Sequence, residues 1–352
     1  MNAENLKLRN RFVDDFSLPV SVLDSPYFEY QLKLYESYNE TDSKWKWLIS
    51  LINEHSLDYF DDENVFLEDY YFCRDRIIEN VEASPSYQKF IFSSTNFPKR
   101  MSKSENATSI NSEFAKIPKT SIYTEANDGK VFLSIDLKHA NFQTLKYYDP
   151  EIVNYAENYE DFIKSHIGHD HPLVKYFADS KYTRQIIFGK LNMARNVVIQ
   201  NFIIYKIWNA IRNIMGDGIK IHSKQVDELI FEVENAEKSM QFLKDFFSIQ
   251  KLYFDNIQVN HELYRLKHHS FETSSGNFIS VFEKYLCNVF YDGNNVYPVH
   301  SFKNNRKIKS CPLVYFPQVY KILTEQEICE EMDLTFYYEK NLCKFLKPIK
   351  KV

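Results

Sequence analysis

Glycine is scarce in this chain, with 7 among 352 residues where average usage gives about 25. Neither G-x-G-x-x-G nor G-x-x-x-x-G-K-[ST] occurs, so any nucleotide chemistry here uses no glycine-built phosphate loop. G-x-S-x-G is missing too, which removes the strained nucleophile turn of an α/β-hydrolase. The cysteines (Cys73, Cys287, Cys311, Cys329 and Cys343) are odd in number and include no C-x-x-C pair. That argues against a cysteine zinc site and for a reducing, intracellular compartment. No apolar stretch of 18 uncharged residues exists and MNAENLKLRNRF lacks a signal-peptide apolar run, so neither a membrane span nor a secretory leader is expected. The net charge of −5 argues against a small, uniformly basic nucleic-acid binder, but leaves room for a local basic channel.

What the chain does have is aromatic mass: 29 Phe and 25 Tyr. Disordered chains are poor in aromatics, and this length allows a large core in two or three domains. Residues 1 to about 90 show apolar spacing of three and four, typified by Leu32, Leu34, Tyr35 and Tyr38, and so read as helical. A polar stretch follows at about 94–120. It reads either as a surface linker or as a loop touching a polyanion through Lys99, Arg100 and Lys103.

Further on, VFLSIDL (131–137) is a short apolar strand with one charge, and 140–148 has helical spacing that stops before Pro150. Residues 159–165 and 180–214 are also helical. IKIHSKQ (219–225) and LIFEV (229–233) flank Val226-Asp227-Glu228 as a hairpin, and 235–247 is an amphipathic helix. Strand-like runs alternate with turns over 251–300, and a helix is expected near 316–332.

Two features carry chemistry. Asp136 sits inside an apolar strand, and Asp227-Glu228 lies in a strand–turn–strand. Carboxylates beside apolar strands are costly unless paired, hydrogen-bonded or metal-bound. If the strands adjoin, Asp136 and Asp227 converge on Mg²⁺, which takes hard oxygen ligands and substrate phosphates. Glu228 then faces the other way from Asp227 and is accessory. Between the acids, steps of four place Arg184, Phe188 and Asn192 on one helix stripe, bordered by Lys181 and Gln185. A cation, an aromatic ring and a polar group in that order suit a nucleoside triphosphate, with phosphates on Arg184 and Lys181 and base or sugar on Phe188. An ordinary amphipathic helix has the same pattern.

The order of these pieces carries a resemblance. YTEANDGKVFLSIDLKHANFQTLK (123–146) is similar to motif A of family A DNA polymerases, YTRQIIFGKLN (182–192) to motif B, and KQVDELIFEV (224–233) to motif C. The single-subunit phage-type RNA polymerases share this palm. The resemblance spans roughly residues 95–250. It implies that Asp136 and Asp227 bind two catalytic Mg²⁺ (or Mn²⁺) ions, with the Leu137 carbonyl as a further ligand and Glu228 in support. Arg184 stands at the family's triphosphate-binding lysine and Phe188 at its helix aromatic. Departures are Asn192 in place of an aromatic, Asn141 at the sugar-gate position, and Val226 in place of His. The separation of Arg184 from Asp227 is far shorter than in the family, which implies reduced fingers and, with so short an N-terminal part, no proofreading exonuclease.

The expected fold is therefore α+β. Residues 1–120 form a helical, thumb-like region with a basic linker. Residues 121–250 form a palm with fingers helices inserted at about 150–215, and residues 251–352 an α+β module suited to a protein partner. The expected activity is primer or RNA-end extension from nucleoside triphosphates by two-metal phosphoryl transfer, as in viral or mobile-element replication. The alternative is a degenerate palm serving as a nucleic-acid-binding or assembly subunit; a nuclease using the same acids is weaker. Template or primer backbone contacts are expected from Lys99, Arg100, Lys103 and the set Lys303, Arg306, Lys307 and Lys309. His222 either touches primer or lines the sheet. His166, His169, Asp170 and His171 read as a polar surface loop rather than a transition-metal site, and His268-His269-Ser270 as a strand end.

Overall fold

The computed structural model describes residues 63–92, 112–191, 193–215, 220–233, 236–253, 257–292, 296–300, 306–311, 316–323, 334–338 and 341–346. Lys99, Arg100, Lys103, Asn192 and Lys303 lie outside them, as does the side chain of Lys181.

Alternating apolar residues in VFLSIDL produce strand β1 (Val131–Leu137), whose odd and even positions face opposite sides. It pairs antiparallel with β3 (Glu228–Val233) on one side and β4 (Val259–Glu272) on the other. β2 (Lys220–Lys224) joins β3, as the hairpin expected around Asp227. β5 (Phe278–Tyr291) pairs with β4, and along its other edge with β6 (Val296–His300) and β7 (Arg306–Lys309). The result is a seven-stranded sheet ordered β2-β3-β1-β4-β5-β6, with β7 also on β5. The class is α+β, as expected. Strands from either side of residue 250 share this sheet, since β4 pairs with β1.

Helices cover one face. Leu133, Ile135, Leu137, Leu229 and Phe231 point into a core shared with Phe142, Phe162, Phe188, Ile203 and Phe246. Each such fully buried side chain contributes about 1.5–3 kcal/mol. The contributing helices are α1 (Glu63–Ala83), α2 (Pro85–Phe92), α3 (Ser112–Lys116), α4 (Ala140–Tyr148), α5 (Tyr159–Ile167), α6 (Leu173–Asp179), α7 (Lys181–Lys190), α8 (Met193–Met215) and α9 (Ala236–Tyr253). Local sequence sets several starts. Asn158 accepts the Asp161 N–H at the start of α5, and Ser180 accepts the Thr183 N–H at the start of α7. The long helix expected over 180–214 is two helices, α7 and α8, because Leu191 leaves helical geometry at the end of α7.

The opposite face carries Phe132, Ile230, Tyr264, Leu266, Phe282 and Leu286, packed under Ile122 and Tyr123. Toward the C-terminus, α10 (Phe316–Leu323) contributes Val319 to a small core with Val281, Ile308, Leu334 and Phe345. A separate ribbon of β8 (Thr335–Tyr338) and β9 (Asn341–Lys344) is tied to the end of β4 by the Thr273–Phe345 bridge. No helix among the described residues is long and apolar enough to cross a membrane.

Candidate functional site

The acids meet at one end of the sheet. Asp136 is the Cα partner of Glu228 on β3 and of Asn260 on β4. The Leu137 N–H donates to the Asp227 carbonyl at 2.9 Å, closing the hairpin end against β1. Strand alternation puts Asp136, Ser134, Glu228, Asn260 and Glu262 on the face away from the helical core. Ser134 Oγ donates to Glu228 Oε1 at 2.5 Å. Burial, then the charges of Asp227 and Glu228, push the Asp136 carboxyl up to about 7, against a hydrogen bond from Asn260 that favours ionisation. Three carboxylates thus crowd one strand end with an excess of negative charge.

Oxygen donors of this kind fit a hard divalent cation. Among the described residues no group of three or more His, Cys, Asp or Glu side chains is already arranged to hold a metal. Mg²⁺ is usually held by one or two carboxylates plus water and substrate phosphates, not by an all-protein cage. Asp136 and Asp227 are the pair that would hold it, while Glu228 is engaged by Ser134. Just beyond Asp136, His139 adopts a left-handed backbone (φ 52°) at the turn into α4 and packs edge-on against Tyr159, ring centroids 5.3 Å apart. Non-glycine residues there are uncommon and strained.

Strand β4 and its neighbours add Glu262, Lys284 and Tyr123, which sequence reasoning missed, beside Lys307, expected only as a template or primer backbone contact. Lys284 Nζ lies 2.8 Å from Glu262 Oε2 and Lys307 Nζ 2.9 Å from Glu262 Oε1. Burial opposes ionisation of Glu262, yet these two lysines hold its carboxyl down at about 2. Burial, then Glu228 and Glu262, raise the Tyr123 hydroxyl well above its ordinary value. The available signal was the period-two run Asn260, Glu262, Tyr264, together with Ser134 two residues before Asp136.

The helix stripe behaves differently from the expectation. Phe188 is fully buried in the helical core against Tyr159 and Phe162, with ring centroids 5.9 and 6.2 Å away. It offers no surface to a base or sugar, because the apolar positions of α7 are consumed by packing between helices. Arg184 lies over the Tyr159 ring (5.4 Å) and donates to the Ala178 carbonyl at 3.4 Å. Gln185 is exposed. Asn141, in the first turn of α4, accepts from Gln200 Nε2 at 2.8 Å.

Other candidates are placed as follows. His222 lines the sheet, against Phe132 (5.1 Å) and within 3.2 Å of Asn127 Nδ2. His166 is not on a surface loop: it is buried in the last turn of α5 against Phe162 (4.7 Å), and burial, then Arg76, lower it to about 4. His169 and Asp170 are exposed, and His171 lies 3.6 Å from Cys73 Sγ. His268, His269 and Ser270 lie within β4 and not at its end; His269 Nε2 is 2.8 Å from Glu283 Oε2. Arg306 Nη1 donates to the Leu323 carbonyl at 3.3 Å and is 3.7 Å from Glu283 Oε1.

Compared with protein-family models, with curated proteins and with solved structures, the chain shows no match.

Proposed function

We propose that this chain is a nucleotidyltransferase that extends a 3′-hydroxyl of a nucleic acid with nucleoside triphosphates. The observation that carries the reading is the meeting of Asp136 with Asp227-Glu228 at one end of adjacent antiparallel strands, where Asp136 is pushed up to about 7. Asp136 and Asp227 would hold divalent cations, Mg²⁺ or Mn²⁺, with the Leu137 carbonyl as the further ligand that the motif resemblance implies. Such ions, when bound, lower the pKa of the attacking hydroxyl and neutralise the triphosphate and leaving pyrophosphate. The chain's own part is to hold one carboxylate on strand β1 and the other in the tight bend between β2 and β3, with Glu228 kept to one side by Ser134. Backbone pairing of that bend to β1 through Leu137 suits a reaction in which positioning supplies most of the rate.

The test is incorporation of labelled ribo- or deoxyribonucleotides on primed, unprimed and templated strands with Mg²⁺. Asp136→Asn and Asp227→Asn should each lower incorporation by about 10³-fold or more, and Glu228→Gln by much less. Absence of incorporation with every nucleotide and primer refutes the reading. The burial of Phe188 favours a second reading, in which the palm-like sheet serves only to bind nucleic acid or a protein partner. Under that reading the nucleic acid binds without any turnover, and the Asp136→Asn variant binds as well as the wild type.

A further inference from the structure

Opposite the acids, across the same sheet face, three lysines gather around one carboxylate. The β5–β7 register sets Lys284 directly across from Lys307, and Lys309 across from Phe282 on the same face. Directly opposed like charges are destabilising unless something bridges them. Glu262 does so, accepting from Lys284 with one oxygen and from Lys307 with the other. Lys284 is also buried over the Tyr264 ring, 4.0 Å from its centroid, so it is committed to holding Glu262 in place.

One carboxylate does not balance three ammonium groups. The Lys309 side chain makes no hydrogen bond or ion pair with another described residue. Its charge is disfavoured by burial and by Lys284 and Lys307, and favoured by Glu262 and Glu228. The sheet face therefore runs from carboxylates on β3 and β1, through Glu262 on β4, to the paired Lys307 and the unpaired side chain of Lys309 on β7. By register Lys309 is level with His268 on β4, three strand steps from β1 and well along the strands from Asp136, yet the charges of Glu262 and Glu228 act on its ammonium group across the shared face.

A ligand complementary to this face is positive where the acids are and multiply negative where the lysines are. We propose that Lys309, with Lys307 beside it, is a phosphate subsite for the terminal phosphates of a polyphosphate whose inner phosphate lies at Asp136 and Asp227. The proposal rests on the nucleotidyltransferase reading and gives the triphosphate grip to β7 instead of to α7, whose Arg184 packs over Tyr159. Lysine suits this role as a point charge for phosphate.

The experiment measures binding of inorganic tripolyphosphate, and separately of a single-stranded oligonucleotide lacking a 5′-phosphate, to the full chain with Mg²⁺. Expected is a loss of about tenfold or more in tripolyphosphate affinity for Lys309→Gln, a loss of the same order for Lys307→Gln, and recovery in Lys309→Arg, with oligonucleotide binding unchanged. Folding of each variant is checked by thermal melting; should Lys309→Gln not fold, the more exposed Lys307→Gln decides. Unchanged tripolyphosphate affinity in a folded variant overturns the proposal. Equal loss for tripolyphosphate and oligonucleotide also overturns it, in favour of a strand-backbone contact. The two proposals fail separately. Lys309-dependent tripolyphosphate binding without primer extension leaves this subsite and removes the polymerising activity. Extension with an unaltered triphosphate KM in Lys309→Gln does the reverse.

Discussion

Asp136 and Glu228 stand directly across from each other on neighbouring antiparallel strands, and the backbone N–H that follows Asp136 is tied to the carbonyl that precedes Glu228. Two carboxylates at one strand end are held together by the sheet itself, so neither can move off to relieve the repulsion.

That relationship fixes a pH dependence. The Asp136 carboxyl is pushed up to about 7, whereas an unfolded aspartate ionises near 4. Folded protein therefore holds a proton that the unfolded chain has lost, and stability falls as pH rises between about 4 and 7. Asp136→Asn removes this penalty. Its unfolding free energy should exceed the wild type's by about 2 kcal/mol at pH 8 and match it near pH 4, after allowance for solvent screening. Urea titrations at the two pH values check it; parallel wild-type and mutant profiles would contradict the assignment.

Phe188 separates a core role from a ligand role. Fully buried between Tyr159 and Phe162, it should cost about 3–5 kcal/mol when truncated to Ala, through lost burial and a residual cavity. Phe188→Leu should cost less. A ring that served a bound base would instead leave the melting temperature nearly unchanged and raise the triphosphate KM. Thermal melting of both variants distinguishes the cases.

The strand positions were legible because a seven-residue alternation leaves little choice of face: Leu133, Ile135 and Leu137 had to go inward, and Asp136 therefore outward. The short hairpin around Asp227 made a neighbour of β1 plausible from local pattern alone. The stripe on α7 was misread because helical spacing groups Arg184 with Phe188 without saying which way the stripe turns. Here the aromatic content of α5 claims it for the core. Glu262, Lys284, Lys307 and Lys309 could not be assembled from sequence, since their meeting depends on the β4–β5 and β5–β7 registers, which no local rule specifies.

Ser134 tests how Glu228 is kept in place. Its hydroxyl is buried and donates to Glu228, so Ser134→Ala removes one hydrogen bond to a charged group and should cost about 1–3 kcal/mol. Because Asp136 keeps its place on β1 and Asp227 its place in the hairpin bend, nucleotide incorporation should fall only a few-fold. A loss as large as that of Asp136→Asn would show that Glu228 itself belongs among the metal-holding groups.

His166 acts on stability in the opposite sense to Asp136. It is buried against Phe162 at the end of α5, 3.3 Å from Asn154 Nδ2, and burial followed by the charge of Arg76 lowers it to about 4. An unfolded histidine takes up a proton near 6.5, so between about 6.5 and 4 the unfolded chain binds more protons than the folded one. The stabilising contribution is full above the upper value and is lost as pH falls through this window. Wild type should lose about 2 kcal/mol more than His166→Gln between pH 7 and pH 4.5. Urea midpoints for both proteins at those two pH values measure the difference directly, and equal losses would mean that His166 accepts its proton in the folded state as readily as in water.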